Sequence, residues 1–361
     1  MKKRINKFIK KMQNKKVFAS VIIIALALSF ALILYIFRNV IFVSVENQDN
    51  QFEVQVEFKE DIIRHPLTGL AIEQKLEKLP QVFGVMIDNL SPAWPHSGLD
   101  QAFLVIEAPV EGRVSRYLAF FLEDQEIDKI GPVRSARPYF IDWAQELDAM
   151  YVHVGGSPQA LDLIASNGVF DLNQFSNGSK FWRSQSREAP HNVYTSTELL
   201  NQSLKQAHER EQAPELLYGL WRFGEPKEDL PEQGVGVTVD FAAPTYESKW
   251  VYSQETNRYQ RYQANREHLT LKGQEIWTDN IAIVVTDVTV IDNVGRREIV
   301  TIGQGQGYVL KNGEKIEVTW KKDSVSERLR FFDQDDQELD WNPGVTWIEV
   351  VPNQERIEFS E

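Results

Sequence analysis

The apolar periodicity of this chain changes once, near residue 212, and that change limits the folds open to it. Before it, apolar runs of strand length at 81–88, 102–108, 116–122 and 149–154 alternate with helix-like segments, the pattern of an α/β domain. Two helices carry their own boundaries. Ser157-Pro158 places a capping side chain before a proline at the first helical position, and Asn167-Gly168 supplies a stop. Residues 195–209, TSTELLNQSLKQAHE, open on hydroxyl residues and repeat leucine at 199, 200 and 204. From 213 to 236 Pro, Gly and acidic residues dominate, as a linker or long connection requires. Beyond it the period is two: VGVTVDF, KWVYSQETNRYQRYQ, NIAIVVTDVTVID, EIVTIGQGQGYVLKNGEKIEVTWKK and TWIEVV read as strands joined by Gly, Asn and Asp turns.

The N-terminal end has a different character. Residues 1–16 carry eight basic side chains and no acid, and Val17–Phe37 is an apolar run of 21 residues. At ~1.5 Å per residue such a run reaches ~30 Å, the depth of a bilayer core. No small-x-small cleavage site follows it, so it reads as an uncleaved anchor rather than a signal peptide. The expected fold class is an α/β N-terminal ectodomain followed by a mostly β C-terminal domain, preceded by a single transmembrane helix. The expected order is a cytoplasmic basic tail (1–16), an anchor (17–37), a stalk (38–61), an α/β domain (62–212), a connection (213–236) and a β-rich domain (237–361). Basic residues stay inside, which leaves the bulk of the chain outside a bacterial cell membrane.

Composition narrows the chemistry. With no cysteine, the chain has no disulfides, no thiolate metal sites and no acylated cysteine, and it must fold on core burial alone. Residues 1–38 hold nine of the 39 basic residues and none of the 52 acids, so the remainder carries a net charge of about −22. Such a surface repels polyanions, and nucleic acid is not an expected partner. The partners expected are the membrane, through the N-terminal helix, and a cell-wall fragment, an anionic small molecule or an envelope protein. No cofactor is implied. Asp333–Glu338 imitates the start of a calcium loop but has Glu338 where glycine belongs and Gly344 where the closing glutamate belongs. GQGQG, 303–307, lacks the Lys-Ser and helix of a phosphate loop and reads as a turn.

Several long motifs occur in a specific order: HPLTGL (65–70), APVEGRVSRYLAFF (108–121), GPVRSARPYFIDWAQELDAMYVHVGGSPQAL (131–161), FWRSQSREAPHNVYTS (181–196) and NPGVTWIEVVP (342–352). From about residue 62 to its end the chain resembles the YerB-like family of bacterial envelope proteins, many of them lipoproteins. The resemblance implies N-terminal and C-terminal domains of unknown function and an extracytoplasmic site. It implies no activity, and this chain departs from the lipoprotein members in lacking their lipobox cysteine.

The candidate site residues cluster around 131–161. If Met150–Val154 is a strand and Pro158 opens a helix, Gly155, Gly156 and Ser157 form a turn whose free N–H groups suit an anion. Arg134 and Arg137 would share a helical face beside it, and Arg113 and Arg116 add charge from the neighbouring segment. The alternative is that these arginines pair with acids such as Glu107, Glu111 or Asp142. Trp182 with Arg183 offers an aromatic, charged rim, and Asn192 a positioning amide. Asp88, at the end of a strand, is a candidate general base or ligand, with His153 and His191 as further catalytic candidates. On an extended strand Glu107 and Glu111 would lie ~13 Å apart, too far for a paired-carboxylate glycosidase unless the chain turns at Pro109. Two functions follow: binding of an anionic or glycan ligand or a protein partner, or hydrolysis or transfer on wall glycans or phosphodiesters. No nucleophile or complete acid–base set is legible.

Overall fold

VFGVMI, residues 82–87, has no polar side, and all six residues are buried; a strand of this kind belongs inside a sheet covered on both faces. It is β1 of the computed structural model, which describes residues 62–360 other than 226, 228 and 243, and all of Arg113 but its side chain. The first half continues with β2 (Leu104–Pro109), β3 (Ser115–Leu122), α1 (Pro138–Gln145), β4 (Met150–His153), α2 (Pro158–Asn167) and β5 (Asp171–Asn173). A short hairpin, β6 (Trp182–Arg183) and β7 (Val193–Tyr194), leads into α3 (Thr197–Glu209). The second half holds β8 (Gly236–Ala242), β9 (Tyr246–Ser253), β10 (Arg258–Gln263), β11 (Arg266–Glu267), β12 (Trp277–Thr278), β13 (Asn280–Val285) and β14 (Val288–Val290). It ends with β15 (Arg297–Ile299), β16 (Gly303–Lys311), β17 (Glu314–Lys322), β18 (Arg330–Phe332), β19 (Thr346–Val351) and β20 (Ile357–Ser360).

Ten of these strands form one mixed sheet in the order β18-β17-β16-β13-β19-β2-β3-β1-β4-β5. Its centre is the parallel pairing of β19 with β2, Thr346 opposite Leu104 through Glu349 opposite Glu107. The strand period of two sorts the core into two layers. Met86, Ile106, Leu118, Phe120 and Ile348 face α1, which buries Tyr139, Phe140, Ile141 and Trp143 against them. Val85, Val105, Tyr117, Ile283 and Trp347 face the other way. There they meet Val237, Val239, Trp250 and Tyr259 of a second sheet, ordered β11-β10-β9-β8-β20 with β12 on β10.

The helix ends follow their capping chemistry. Ser157 Oγ accepts from Ala160 N at the start of α2, Gly168 closes that helix with a left-handed φ of 61°, and Ser196 Oγ accepts from Leu199 N at the start of α3. GQGQG is not a turn but the opening of β16. A Cβ on Gly305 would lie 2.7 Å from Trp320 Nε1, and one on Gly307 2.4 Å from the Ile283 carbonyl. The glycines there admit a tryptophan and a neighbouring strand.

The fold class expected from the sequence needs correction. An α/β ectodomain followed by a mostly β domain does not describe this molecule, because Asp61–Glu361 forms one unit and the two halves share its largest sheet. The described residues hold only three α-helices, and the sheet dominates both halves. Periodicity reports which way side chains face, and it is blind to which strand lies alongside. The connection 213–236 is partly docked: Tyr218 and Trp221 are buried, and Trp221 stacks on Trp341 at 4.4 Å. The proposed transmembrane helix, 17–37, with the tail and stalk beside it, lies outside the described residues. None of the described helices is long and apolar enough to cross a membrane, so that part of the fold class is not carried further.

A fragment of residues 62–212 would leave the β2 edge, normally covered by β19, open along an apolar strand. The fragment should therefore lack a cooperative urea transition that residues 62–361 show, and should aggregate. A sharp two-state transition in the fragment would refute a shared sheet as the source of stability.

Candidate functional site: an arginine cleft and the buried network beneath it

A cleft of about 230 Å³ opens where β1 ends beside the β2–β3 turn, lined by Asp88, Leu90, Glu111, Arg116, Arg134 and Arg137 among others. The Asp88 carboxylate is buried and anchors one wall. Its Oδ1 accepts from Leu90 N at 3.1 Å, while Oδ2 lies 2.6 Å from His191 Nδ1 and 3.0 Å from Arg134 Nε. The Arg134 approach is off the direction of a hydrogen bond, so that contact is charge on charge. An ionised carboxylate only accepts, so His191 carries its proton on Nδ1 and keeps Nε2 without a hydrogen-bond partner among the described residues. Arg137 grips Glu111 in a two-pronged pair, 2.7 Å on each prong, and its Nη1 donates to the Ala136 carbonyl. Burial pushes the Glu111 carboxyl up, but the bond and charge of Arg137 outweigh it and hold the group below the ordinary value.

Arg116 is the exception in this cleft. Its guanidinium is buried and donates to the Ser135 carbonyl at 2.8 Å, yet forms no ion pair with a described carboxylate. Burial, followed by the charge of Arg137, lowers its pKa to about 10. Three guanidiniums against two carboxylates leave the lining with one positive charge. An arginine held in this way raises the energy of the empty cleft, and an anion would relieve it.

The structure redistributes the other candidates. Residues 134–137 are not helical: Arg137 is the extended residue before α1, with φ −136° and ψ 149°. The two arginines converge through chain path rather than helical spacing. The glycine turn is closed to ligand. Phe175 covers Gly155, Ala136 and Leu161 pack on Gly156, Gly155 N donates to Asn173 Oδ1 and Ser157 N to the Ala136 carbonyl. Ser157 is occupied as a helix cap. His153 does not line the cleft; its Nδ1 lies 2.7 Å from the Gly155 carbonyl and its Nε2 3.0 Å from Asp171 Oδ2, which leaves no free nitrogen for proton transfer. Trp182 stacks across its hairpin on Tyr194, and Arg183 donates to Asn192 Oδ1 at 2.8 Å, so these three residues shape the loop that carries His191. The backbone of Arg113 lies in a short turn, Glu111–Arg113.

Beneath the cleft, between the two sheets, lies a buried polar network that the sequence did not disclose. Glu107 Oε2 accepts from Arg261 Nη2 at 2.7 Å, and Glu107 Oε1 from Ser115 Oγ at 2.5 Å. Arg261 Nη1 reaches His268 Nδ1 at 2.6 Å, His268 Nε2 reaches His96 Nδ1 at 3.0 Å, and His96 Nε2 reaches the Asp88 carbonyl at 2.8 Å. A guanidinium only donates, which fixes every tautomer along the chain: His268 donates from Nε2, and His96 donates from Nε2 to Asp88. Both imidazoles are held neutral. Burial lowers His96 to about 4 and, with the charge of Arg261 next, takes His268 well below its ordinary value. Glu349 stands beside Glu107 in the register, and burial followed by the Glu107 charge raises its pKa well above the ordinary value. Glu349 Oε1 accepts from Ser248 Oγ and Trp250 Nε1 at 2.7 and 2.8 Å, while Oε2 has no hydrogen-bond partner among the described residues.

Comparison with known proteins agrees with this architecture. Residues 67–210 match the family described as "Protein of unknown function (DUF3048) N-terminal domain", and residues 237–348 match its C-terminal domain. The chain belongs to the DUF3048 family. A curated member, "Putative lipoprotein YerB" of Bacillus subtilis (strain 168), is 32% identical over 308 residues, covering 83% of this chain and 89% of that one. The crystal structure of YerB from Bacillus subtilis superposes with a TM-score of 0.73 at 31% identity, over 83% of this chain and all of the other. The family's N-terminal region here supplies the whole arginine cleft, and its C-terminal region supplies Arg261 and His268 of the network below. Arg116 and Arg134 are legible from their two motifs, and Asp88 from its place at the end of a strand. Nothing marked Arg261, some 154 positions from Glu107, as its partner.

The pKa of Glu349 gives a signed expectation. A folded-state value above 4.5 means the native protein holds a proton that the unfolded chain releases; its contribution is fully present below about pH 4.5 and is lost as pH rises. Glu349→Gln, which mimics the protonated group, should exceed the parent in stability at pH 8 and approach it toward pH 4.5. Urea denaturation across that range checks it, and parallel curves for the two proteins would show Glu349 to be ionised in the native state.

Proposed function

We propose that this protein binds an anionic group of a cell-envelope ligand in the arginine cleft, outside the cytoplasmic membrane. The observation that carries the reading is the buried, charged Arg116 without a carboxylate partner, facing a cleft with one excess positive charge. A volume of about 230 Å³ falls below the range of about 300–1,000 Å³ that whole small-molecule sites occupy. The cleft therefore suits one carboxylate or phosphate group of a larger ligand, such as a wall fragment or the side chain of an envelope protein. An envelope location is supported by the lipoprotein designation of the Bacillus subtilis relative. This sequence has no cysteine, so the thioether-linked lipid of such proteins has no attachment atom in it.

One observation favours a second reading, hydrolysis or transfer on a wall glycan or phosphodiester. The 2.6 Å contact of His191 Nδ1 with Asp88 leaves His191 Nε2 free to take a proton beside an anion site. On that reading Asp88 orients the imidazole, His191 is the base, and the arginines stabilise negative charge in the transition state. In the cleft lining Glu111 is clamped by Arg137 and Ser115 Oγ donates to Glu107, so the second carboxylate and that hydroxyl are committed elsewhere, and binding takes precedence.

The test is thermal. Inorganic phosphate at about 100 times its Kd should stabilise the parent by about 2.7 kcal/mol and should have no effect on Arg116→Met. In anion-free buffer Arg116→Met should melt above the parent, because it removes a buried charge whose only hydrogen bond among the described residues is to a carbonyl. Equal phosphate stabilisation of both proteins would overturn the anion-site reading. Turnover of a wall glycan that Asp88→Asn and His191→Gln both abolish would move the conclusion to the second reading.

A further inference from the structure

The segment that follows β1 serves two openings. Asp88 and Leu90 line the arginine cleft, while Ser91, Trp94 and Pro95 line a second cleft of about 750 Å³. Leu90 and Ser91 are consecutive, with Cα atoms ~3.8 Å apart, so the two clefts border one stretch of chain. The opposite wall comes from the second sheet and its loops, including Thr245, Gln263, Arg266, Glu267 and His268.

The chemistry of this second cleft differs from the first. Its floor is closed to titration and to exchange of partners. Gln263 donates to Asn89 Oδ1 at 2.9 Å and accepts from Tyr117 and Arg261, and both nitrogens of His268 are committed inward. Its wall is an aromatic ring fixed in orientation. Trp94 Nε1 donates to Asn89 Oδ1 at 2.7 Å, and the indole stands edge-on to Tyr246 at 5.8 Å. Its rim is polar without net charge, with Ser91 and Thr245 exposed and Arg266 beside Glu267. A rigid indole with hydroxyls and charged groups of both signs around it matches a ring that has one apolar face and many hydroxyls, the description of a pyranose.

We propose that the Trp94 cleft is a sugar subsite, and that the ligand is a saccharide whose carboxylate or phosphate ester sits against Arg116. This rests on the reading of the arginine cleft as an anion site and adds what the rest of the ligand is. Trp94 supplies the stacking face, the rim supplies hydrogen bonds to hydroxyls, and the arginine cleft supplies the charge. Asn89 ties the two together, since its Oδ1 holds Trp94 and Gln263 while its Nδ2 donates to Ser115 on the edge of the arginine cleft.

Titration calorimetry and saturation-transfer NMR on the full chain test this with four probes: N-acetylmuramic acid for the carboxylate, N-acetylglucosamine 6-phosphate for the phosphate ester, neutral N-acetylglucosamine, and inorganic phosphate. One or both anionic sugars should bind more tightly than the neutral sugar and than phosphate, and the stronger of the two identifies the acidic group. Trp94→Ala should weaken the anionic sugar about tenfold, or 1.4 kcal/mol, and leave phosphate binding unchanged; Trp94→Phe should retain most of the affinity. If Trp94→Ala does not fold, Thr245→Trp, which fills the rim, should give the same selective loss. Sugar affinity no better than that of phosphate, or indifferent to both variants, overturns the sugar subsite while the anion site stands. Loss of phosphate binding in the parent itself defeats the anion site and this inference together.

Discussion

The parallel pairing of β19 with β2 joins the two halves of the chain and brings their buried charges together. It sets Trp347 beside Val105 and Glu349 beside Glu107 in the middle of a ten-stranded sheet. The period of a strand turns both glutamates toward the layer between the sheets, where both are buried. Two adjacent buried carboxylates cannot both remain ionised without compensation. Glu349 answers by holding its proton, and Glu107 by its ion pair with Arg261 of the second sheet. Arg261 in turn lies over the rings of Trp347 and Tyr117, 4.9 and 5.5 Å from their centroids. Removing one member of such a pair costs about 3–5 kcal/mol, because the other is left charged and buried. The second sheet is therefore attached by charge neutralisation as well as by apolar packing.

The same network reaches the surface. From Arg261 the hydrogen bonds run through His268 and His96 to the Asp88 carbonyl, and from Glu107 through Ser115 to Asn89. Asp88 and Asn89 begin the segment that lines both clefts, so core residues of the second half fix the position of site residues in the first. Alternation along β3 divides the labour. Tyr117 turns into the layer between the sheets, whereas its neighbour Arg116 turns toward α1 and the Ser135 carbonyl. A rigid support of this kind suits recognition, since a pre-organised site loses little entropy when it binds.

Much of the local structure was legible in the chain, because it depends on neighbours in sequence. Ser157-Pro158 and Gly168 bound α2 where they should, and the alternating runs at 280–292 and 298–322 are strands. Of the site, the arginines and Asp88 were legible as residues but not as a geometry. Arg134 and Arg137 were expected to gather over the glycine turn, and they gather instead over Asp88 and Glu111. Nothing in the turn's own sequence shows Phe175, eighteen residues or more away, lying across Gly155. GQGQG was misread for a related reason: its glycines answer to Trp320 and to the Ile283 carbonyl, both on other strands.

Short-range physics controls what can be read along the chain: capped helices, strand faces, the absence of thiol chemistry and a basic cluster in an acidic chain. It takes the tertiary structure to show that the two halves share one sheet, that Glu349 meets Glu107 and calls for Arg261, and that Arg116, unlike the other two cleft arginines, forms no ion pair with a described carboxylate. The reason is one of range. Capping and alternation act over two to four residues and leave a trace in the local pattern, whereas strand order and charge compensation act across spans such as the 154 residues from Glu107 to Arg261, where one sequence carries no signal of which residues will meet.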